Sequence, residues 1–201
     1  MPGFIENFKS IFPMKPFFEL TPKIDYSKFH NEGPNGEKLL ILGSVVSRRE
    51  GKFVFDAAYN KIACETDWYP VPTPGKIFSD IEGIPENFNI NKFVPNSYMP
   101  SLYKNYKALL VVGKSIFERG LPMSIAEAQA AGVCVIAPSL HDDFNKYVTD
   151  GGGVLFEDAS QINELLSRLP TSENRQKGFQ NAKKYDVENL LPELNALGFS
   201  F

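Results

Sequence analysis

Short apolar runs alternate with amphipathic stretches along most of the chain. Residues 38–44 (KLLILGS) read as a buried strand that ends in a glycine turn and is followed by the basic loop Ser47–Lys52. From Phe53 to Ala63 the apolar positions 53, 54, 57, 58 and 62 recur at helical spacing. The pattern then predicts a strand near Asn91–Val94, a short helix over Pro100–Tyr106 and a strand over Ala108–Val112. A helix over Pro122–Ala131, a strand over Val133–Ala137 and a helix over Asp142–Val148 follow. A strand at Val154–Phe156 and a helix at Ile162–Leu169 close the series. Beyond Glu173, the spacing of Phe179, Ala182, Tyr185, Leu190, Leu191, Leu194 and Leu197 predicts one or two more helices. Such alternation belongs to an α/β fold with a parallel sheet and helices on both faces, and right-handed crossovers make it a doubly wound, Rossmann-like layer. Two stretches read differently. The segment around Pro70, Pro72, Pro74 and Pro85 is expected to be irregular, with Trp68 and Tyr69 in it read as packing residues rather than a base-stacking platform. The run Gly151-Gly-Gly153 follows a helix and precedes a strand, so it reads as a helix stop and turn rather than a phosphate loop.

Composition narrows the partners. The 201 residues, 43% of them hydrophobic, suit one domain of moderate size: residues 24–201 as a single domain, with 1–23 as a lead-in or linker remnant. Lys and Arg number 21 against 24 Asp and Glu, a net charge of −3, so no global positive field exists to hold nucleic acid or an anionic membrane surface. Cys64 and Cys134 are too few for a disulfide framework or a four-cysteine zinc site, and His30 and His141 are isolated; two free thiols, no metal and a reduced, cytoplasmic setting are expected. Glu6, Lys9, Pro13, Lys15 and Pro16 interrupt the apolar residues at the start, so no signal peptide is expected. The longest apolar runs elsewhere are about a third of the ~20 residues a membrane helix needs, and no transmembrane segment is expected.

In an open α/β sheet the ligand lies beyond the carboxyl ends of the strands, which directs attention to the loops after Gly43, Val112 and Ala137. The first holds Arg48, Arg49 and Lys52, a cluster that charge alone cannot distinguish from a solvated edge. The second, Gly113 to Ser124, enters a helix with Pro122 suited to its first position, leaving the N–H groups of Met123, Ser124 and Ile125 free. A helix start of this kind is an anion site, and Gly120 would let a phosphate approach the backbone. Glu127 lies five residues on, about 7.5 Å along the axis, where its carboxylate could hold a ribose. Ala126, Ala128, Ala130, Ala131 and Gly132 are small enough to press this helix on the sheet and half-bury Glu127. A structural acid bonded to its surroundings is the alternative reading of Glu127.

The stretch Gly120-Leu-Pro-Met-Ser-Ile-Ala-Glu-Ala-Gln-Ala-Ala-Gly-Val-Cys-Val-Ile-Ala137 resembles the signature of GT-B glycosyltransferases of the group 1, family 4 type, E-G-x-P-x-x-x-x-E-A-x-A-x-G-x-P-V-I. Ile24–Phe29, Leu42-Gly43 with Arg49, Leu102-Tyr103 and Thr149–Phe156 are similar to other parts of that pattern, so the resemblance covers about residues 24–170. It implies the C-terminal, donor-binding half of a GT-B enzyme. The donor would be a nucleotide-diphosphate sugar, with no cofactor or metal, and transfer would retain the anomeric configuration. By the resemblance Glu127 binds the ribose hydroxyls, and Gly43, Ser44, Arg48, Arg49, Lys52 and the run Gly120, Leu121, Pro122, Met123 and Ser124 border the donor. The pattern departs at four places. Arg119 stands where the first signature glutamate belongs, so Glu118 could contact the donor sugar only if the loop carries an extra residue. Ser44 stands where an arginine is usual, with Arg48, Lys52 or Arg119 available to compensate. Cys134 replaces a proline, a packing change, and His141, Asp142 and Asp143 replace a glycine-rich loop. The chain is too short for two Rossmann-like halves, so the acceptor domain is expected from elsewhere or from a partner chain. A non-catalytic nucleotide-binding or assembly subunit is the alternative function. A flavodoxin-like or receiver domain would need an acidic or flavin-binding first loop, and this one is basic. The segment Gly33–Lys38 lacks nucleotide-triphosphate loop spacing and is a turn.

Overall fold

A computed structural model of the chain describes residues 23–43, 59–70, 85–112 and 122–199. Six parallel strands form one sheet: β1 (Lys38–Leu42), β2 (Thr66–Tyr69), β3 (Phe88–Ile90), β4 (Tyr106–Leu110), β5 (Cys134–Pro138) and β6 (Val154–Phe156). Their order is β3-β2-β1-β4-β5-β6, the Rossmann arrangement, in which the direction of winding reverses between β1 and β4. The described helices are α1 (Tyr26–Phe29), α2 (Met99–Tyr103), α3 (Met123–Ala130), α4 (Asp142–Asp150), α5 (Ile162–Arg168), α6 (Ser172–Lys183) and α7 (Leu190–Ala196).

Strand alternation sorts the core into two layers. On one face Leu40, Tyr106, Leu109, Val135 and Ala137 pack with residues of α1, α2, α3, α4 and α6. On the other, Leu39, Ile41, Trp68, Leu110 and Ile136 pack with Tyr59, Ile62 and the α5 residues Ile162 and Leu166. β1, β4 and β5 are covered on both faces, which is why they read as continuous apolar runs. Of the helix expected over 53–63, only the end from Tyr59 is described; Tyr59 is helical and, with Ile62, buried.

Several expectations are corrected. Trp68 and Tyr69 do not lie in irregular chain: they end β2, which pairs with both β1 and β3, and Trp68 is completely buried. The strand expected near Asn91–Val94 lies earlier, at Phe88–Ile90, because Phe88 fills the core beside Tyr59, whereas Phe93 is exposed. The short helix begins sooner, as a 3-10 turn at Asn96–Tyr98 running into α2, and Tyr106 already opens β4. The glycine run behaves as expected: Gly151 caps α4 and Gly152 takes φ +70°.

A buried amide cluster ties α3, α4 and α6 together. Gln129 Nε2 donates to the Tyr147 carbonyl at 3.3 Å, and Asn181 Nδ2 donates to Gln129 Oε1 at 2.9 Å. Gly151 leaves the space these groups occupy, since a Cβ there would fall on the Gln129 amide. Gly151→Ala is therefore expected to destabilise the fold by about 1–3 kcal/mol, read as a lower urea midpoint with an unchanged slope. An unchanged midpoint would show that the amide cluster is slack.

Candidate functional site

Where the winding reverses, the carboxyl ends of the strands open on a crevice of about 190 Å³. Its described lining is Leu42 and Gly43 at the end of β1, Tyr69 and Pro70 at the end of β2, Phe93, Val94 and Asn96 after β3, Met99 of α2, and Ser124 and Glu127 of α3. Gly43 has φ +99°, a conformation that strains any residue with a Cβ, and no described atom lies within 4 Å of where that Cβ would point. Its N–H donates to the Tyr69 carbonyl at 3.1 Å, and its own carbonyl accepts from Trp68 Nε1 at 2.9 Å. Trp68, a packing residue by sequence, thus also fixes the turn at the crevice floor.

The opposite wall is the start of α3. Pro122 is the N-cap, in extended conformation, and not the first helical residue; its carbonyl accepts from the Ile125 N–H at 3.1 Å. Ile125 is therefore not a free donor, and no described residue accepts from the N–H groups of Met123 and Ser124. Two buried tyrosines hold this helix start. Tyr147 of α4 donates to the Pro122 carbonyl at 3.2 Å. Tyr103, with no exposed surface, lies 3.0 Å from Glu127 Oε2 and 3.3 Å from the Ser124 carbonyl. One phenol proton serves one acceptor well, and the nearer, charged carboxylate takes it. Burial pushes the Glu127 carboxyl above its usual range, and the Tyr103 bond partly offsets this. Burial and the adjacent Glu127 raise Tyr103 well above an ordinary phenol, so it stays a donor. No described residue donates to Glu127 Oε1. The carboxylate is thus anchored through one oxygen on the protein side while the residue lines the crevice.

Comparison with known proteins gives the family and the fold. The family model described as "Glycosyl transferases group 1" matches residues 78–185, more than half of the chain. The chain belongs to the group 1 glycosyl transferases. No curated protein matches it. Among solved structures it resembles TarM at 15% identity and TM-score 0.73, covering 100% of this chain and 42% of that one. It resembles sucrose-phosphate synthase from Thermosynechococcus elongatus at 14% identity and TM-score 0.71, covering 96% and 55%. The Anabaena protein HepE in complex with UDP-glucose gives 14% identity and TM-score 0.60, covering 88% and 56%. The chain thus spans about half the length of these structures, and the shared feature is the GT-B fold, of which it has the parallel, Rossmann-like C-terminal sheet.

Of the residues that this family's signature marks, Gly43, Ser124 and Glu127 meet in the crevice, and Pro122 and the 45% exposed Met123 begin the helix beside it. Ser44, Arg48, Arg49, Lys52, Glu118, Arg119, Gly120 and Leu121 lie outside the described residues. His141 caps α4, its Nδ1 accepting from the Phe144 N–H at 3.4 Å, and neither it nor Asp142 or Asp143 is among the described lining residues. Cys134 is buried, as a packing change requires. Among the described residues there is no group of three or more His, Cys, Asp or Glu able to hold a metal, and no helix long and apolar enough to cross a membrane. The sequence reading passed over the hydroxyls of Tyr103 and Tyr147. A polar tip on an aromatic residue of a short helix is their only signal, and it cannot name a partner.

The raised Glu127 carboxyl has a consequence for stability. A carboxyl that holds its proton more tightly when folded contributes stability at low pH, and that contribution is lost as pH rises through its folded-state titration. Glu127→Gln, which does not titrate, is expected to melt higher than the parent at pH 7, with the gap closing toward pH 4. Each kcal/mol would register as roughly 2–4 °C. A gap of the same size at both pH values would show that the buried charge is not its cause.

Proposed function

We propose that this chain is the donor-binding half of a nucleotide-sugar glycosyltransferase, transferring a hexose from a nucleoside diphosphate sugar with retention at the anomeric carbon. The supporting observation is the anchored Glu127 in a crevice at the winding reversal. A carboxylate with one oxygen anchored suits the neutral hydroxyls of a ribose and repels a phosphate. Glu127 is the only charged residue in the described lining, so the diphosphate belongs nearer Gly43, toward the basic loop of Arg48, Arg49 and Lys52. Gly43 there offers backbone without a side chain.

The reaction breaks the bond between the anomeric carbon and the diphosphate, and negative charge grows on the departing nucleoside diphosphate. Arg48, Arg49, Lys52 and Arg119, with the N-terminal N–H groups of α3, would stabilise that charge by fixed electrostatics without a metal. Glu118 would reach the donor sugar. Residues 24–201 form the donor domain in this reading. The acceptor is held by a domain or partner chain outside this sequence, in keeping with the half-length match to the solved structures. Arg119 at the place of the first signature glutamate favours a second reading, a binding subunit without catalysis.

Calorimetric titration with UDP, GDP and ADP tests the assignment. One of the three is expected to bind, and Glu127→Ala to weaken it about 10- to 100-fold, the worth of one or two charge-assisted hydrogen bonds; Arg49→Ala acts in the same direction. No binding at millimolar nucleotide would end the donor-site reading. Alone, the chain is expected to transfer little sugar. Measurable turnover onto a defined acceptor would refute the need for an external acceptor domain.

A further inference from the structure

Away from the crevice, an apolar face near the end of the chain lies where the described structure begins. Ile24 pairs in parallel with Asp186: its N–H donates to the Tyr185 carbonyl and its carbonyl accepts from the Val187 N–H, both at 2.8 Å. One residue earlier, Lys23 Nζ pairs with Glu193 of α7. The chain before residue 23 therefore leaves from beside the 3-10 turn Val187–Asn189 and α7.

No residue of α7 is buried. Leu190, Leu194 and Leu197 recur at helical spacing and are half-buried, whereas Val187 and Leu191, four positions apart, are 45% and 59% exposed. A seven-residue helix is too short to persist in water on propensity alone, so α7 depends on packing. Among the described residues none covers the outward stripe of Val187 and Leu191.

The segment that leaves there carries a matching surface. Phe4, Ile5, Phe8, Ile11 and Phe12 fall at i, i+1, i+4, i+7 and i+8, the apolar stripe of an amphipathic helix, while Glu6, Asn7, Lys9 and Ser10 fall on the opposite side. Pro13 stops the pattern. A helix over residues 4–12 would be about 13.5 Å long and α7 is about 10.5 Å, so the two stripes suit each other in length. Residues 13–22 can span up to roughly 33 Å, enough to fold the stripe back onto its own exit point. The polar side has one acid and one base, so it lacks the basic face by which surface helices hold an anionic membrane. A tethered segment also competes at an effective concentration of about millimolar, which favours it over a second copy in dilute solution.

We infer that residues 4–12 form a helix that docks its Phe and Ile stripe on Val187 and Leu191, so that the first and last segments of the chain pack as one unit. The lead-in is then part of the domain and not a linker. Donor binding plays no part in this contact.

The test is amide hydrogen exchange of the whole chain, read by mass spectrometry over residues 187–197, with the oligomeric state followed by sedimentation. Phe8→Asp, in the middle of the stripe, is expected to speed exchange of those amides about 10- to 100-fold, the worth of one buried aromatic side chain, while amides of β4 and β5 keep their rates. Lys9→Ala, on the opposite side, should leave them unchanged. The milder pair Phe8→Ala and Leu191→Ala checks the contact itself: each should speed exchange over 187–197, and the double variant should exchange no faster than the faster single one. Unchanged exchange over 187–197 in Phe8→Asp, or fully additive effects in the double variant, would overturn the docking. Protection of 187–197 that is lost on dilution as a dimer dissociates would assign the face to a second copy and overturn it as well.

Discussion

How closely α3 lies on the sheet governs the crevice. Ala126, Ala128, Ala130 and Ala131 are at most 1% exposed, so nothing larger than a methyl group separates much of the helix from its neighbours. Gly132 ends the helix with φ +72° and turns the chain directly into β5. That proximity brings Glu127 into a partly buried position, where an unbonded carboxylate would be costly. The Tyr103 phenol meets that cost at one oxygen. Burial, helix position and hydrogen bond are three parts of one arrangement, and enlarging any of the alanines would disturb all three.

The framework behind the helix is built to resist displacement. Tyr147 couples α4 to the Pro122 carbonyl, and the Gln129–Asn181 amide pair links α3 to α6 in an interior with little other polarity. At the other end of the sheet, Arg175 of α6 donates to the carbonyls of Asn31 and Gly33, and Asn35 Nδ2 donates to those of Tyr106 and Ala131. Satisfied buried polar groups of this kind hold neighbouring elements in one register, because any slip leaves a donor unpaired. The crevice-lining residues Gly43, Tyr69, Ser124 and Glu127 are mounted on strand and helix ends that this network holds.

Two phenol contacts beside the crevice follow one rule. On the α3 side the Tyr103 hydroxyl donates to the Glu127 carboxylate. On the β2 side the buried Tyr106 hydroxyl lies between the Asp67 carboxylate and the Tyr69 hydroxyl. In both places the direction of the proton follows from which acceptor carries charge.

Hydrophobic periodicity by itself determined the class of fold and the place of β1, β5, β6, α3, α4 and α5, because buried parallel strands must be apolar throughout and helices need a single apolar stripe. The signature around Pro122–Ala137 determined the family and picked out Glu127. Tertiary structure alone decided the rest. β2 was hidden because Asp67, facing the Tyr106 hydroxyl, and the prolines that follow break the apolar run by which a buried strand is read. Phe93 and Val94 resemble strand residues but line the crevice, since a crevice wall and a core are equally apolar in one dimension. Tyr103 and Glu127 lie 24 positions apart, and Tyr106 and Asp67 lie 39 apart. A hydrogen bond depends on distances of about 3 Å between particular atoms, and no spacing along a chain encodes such a distance until the sheet has brought its strands together.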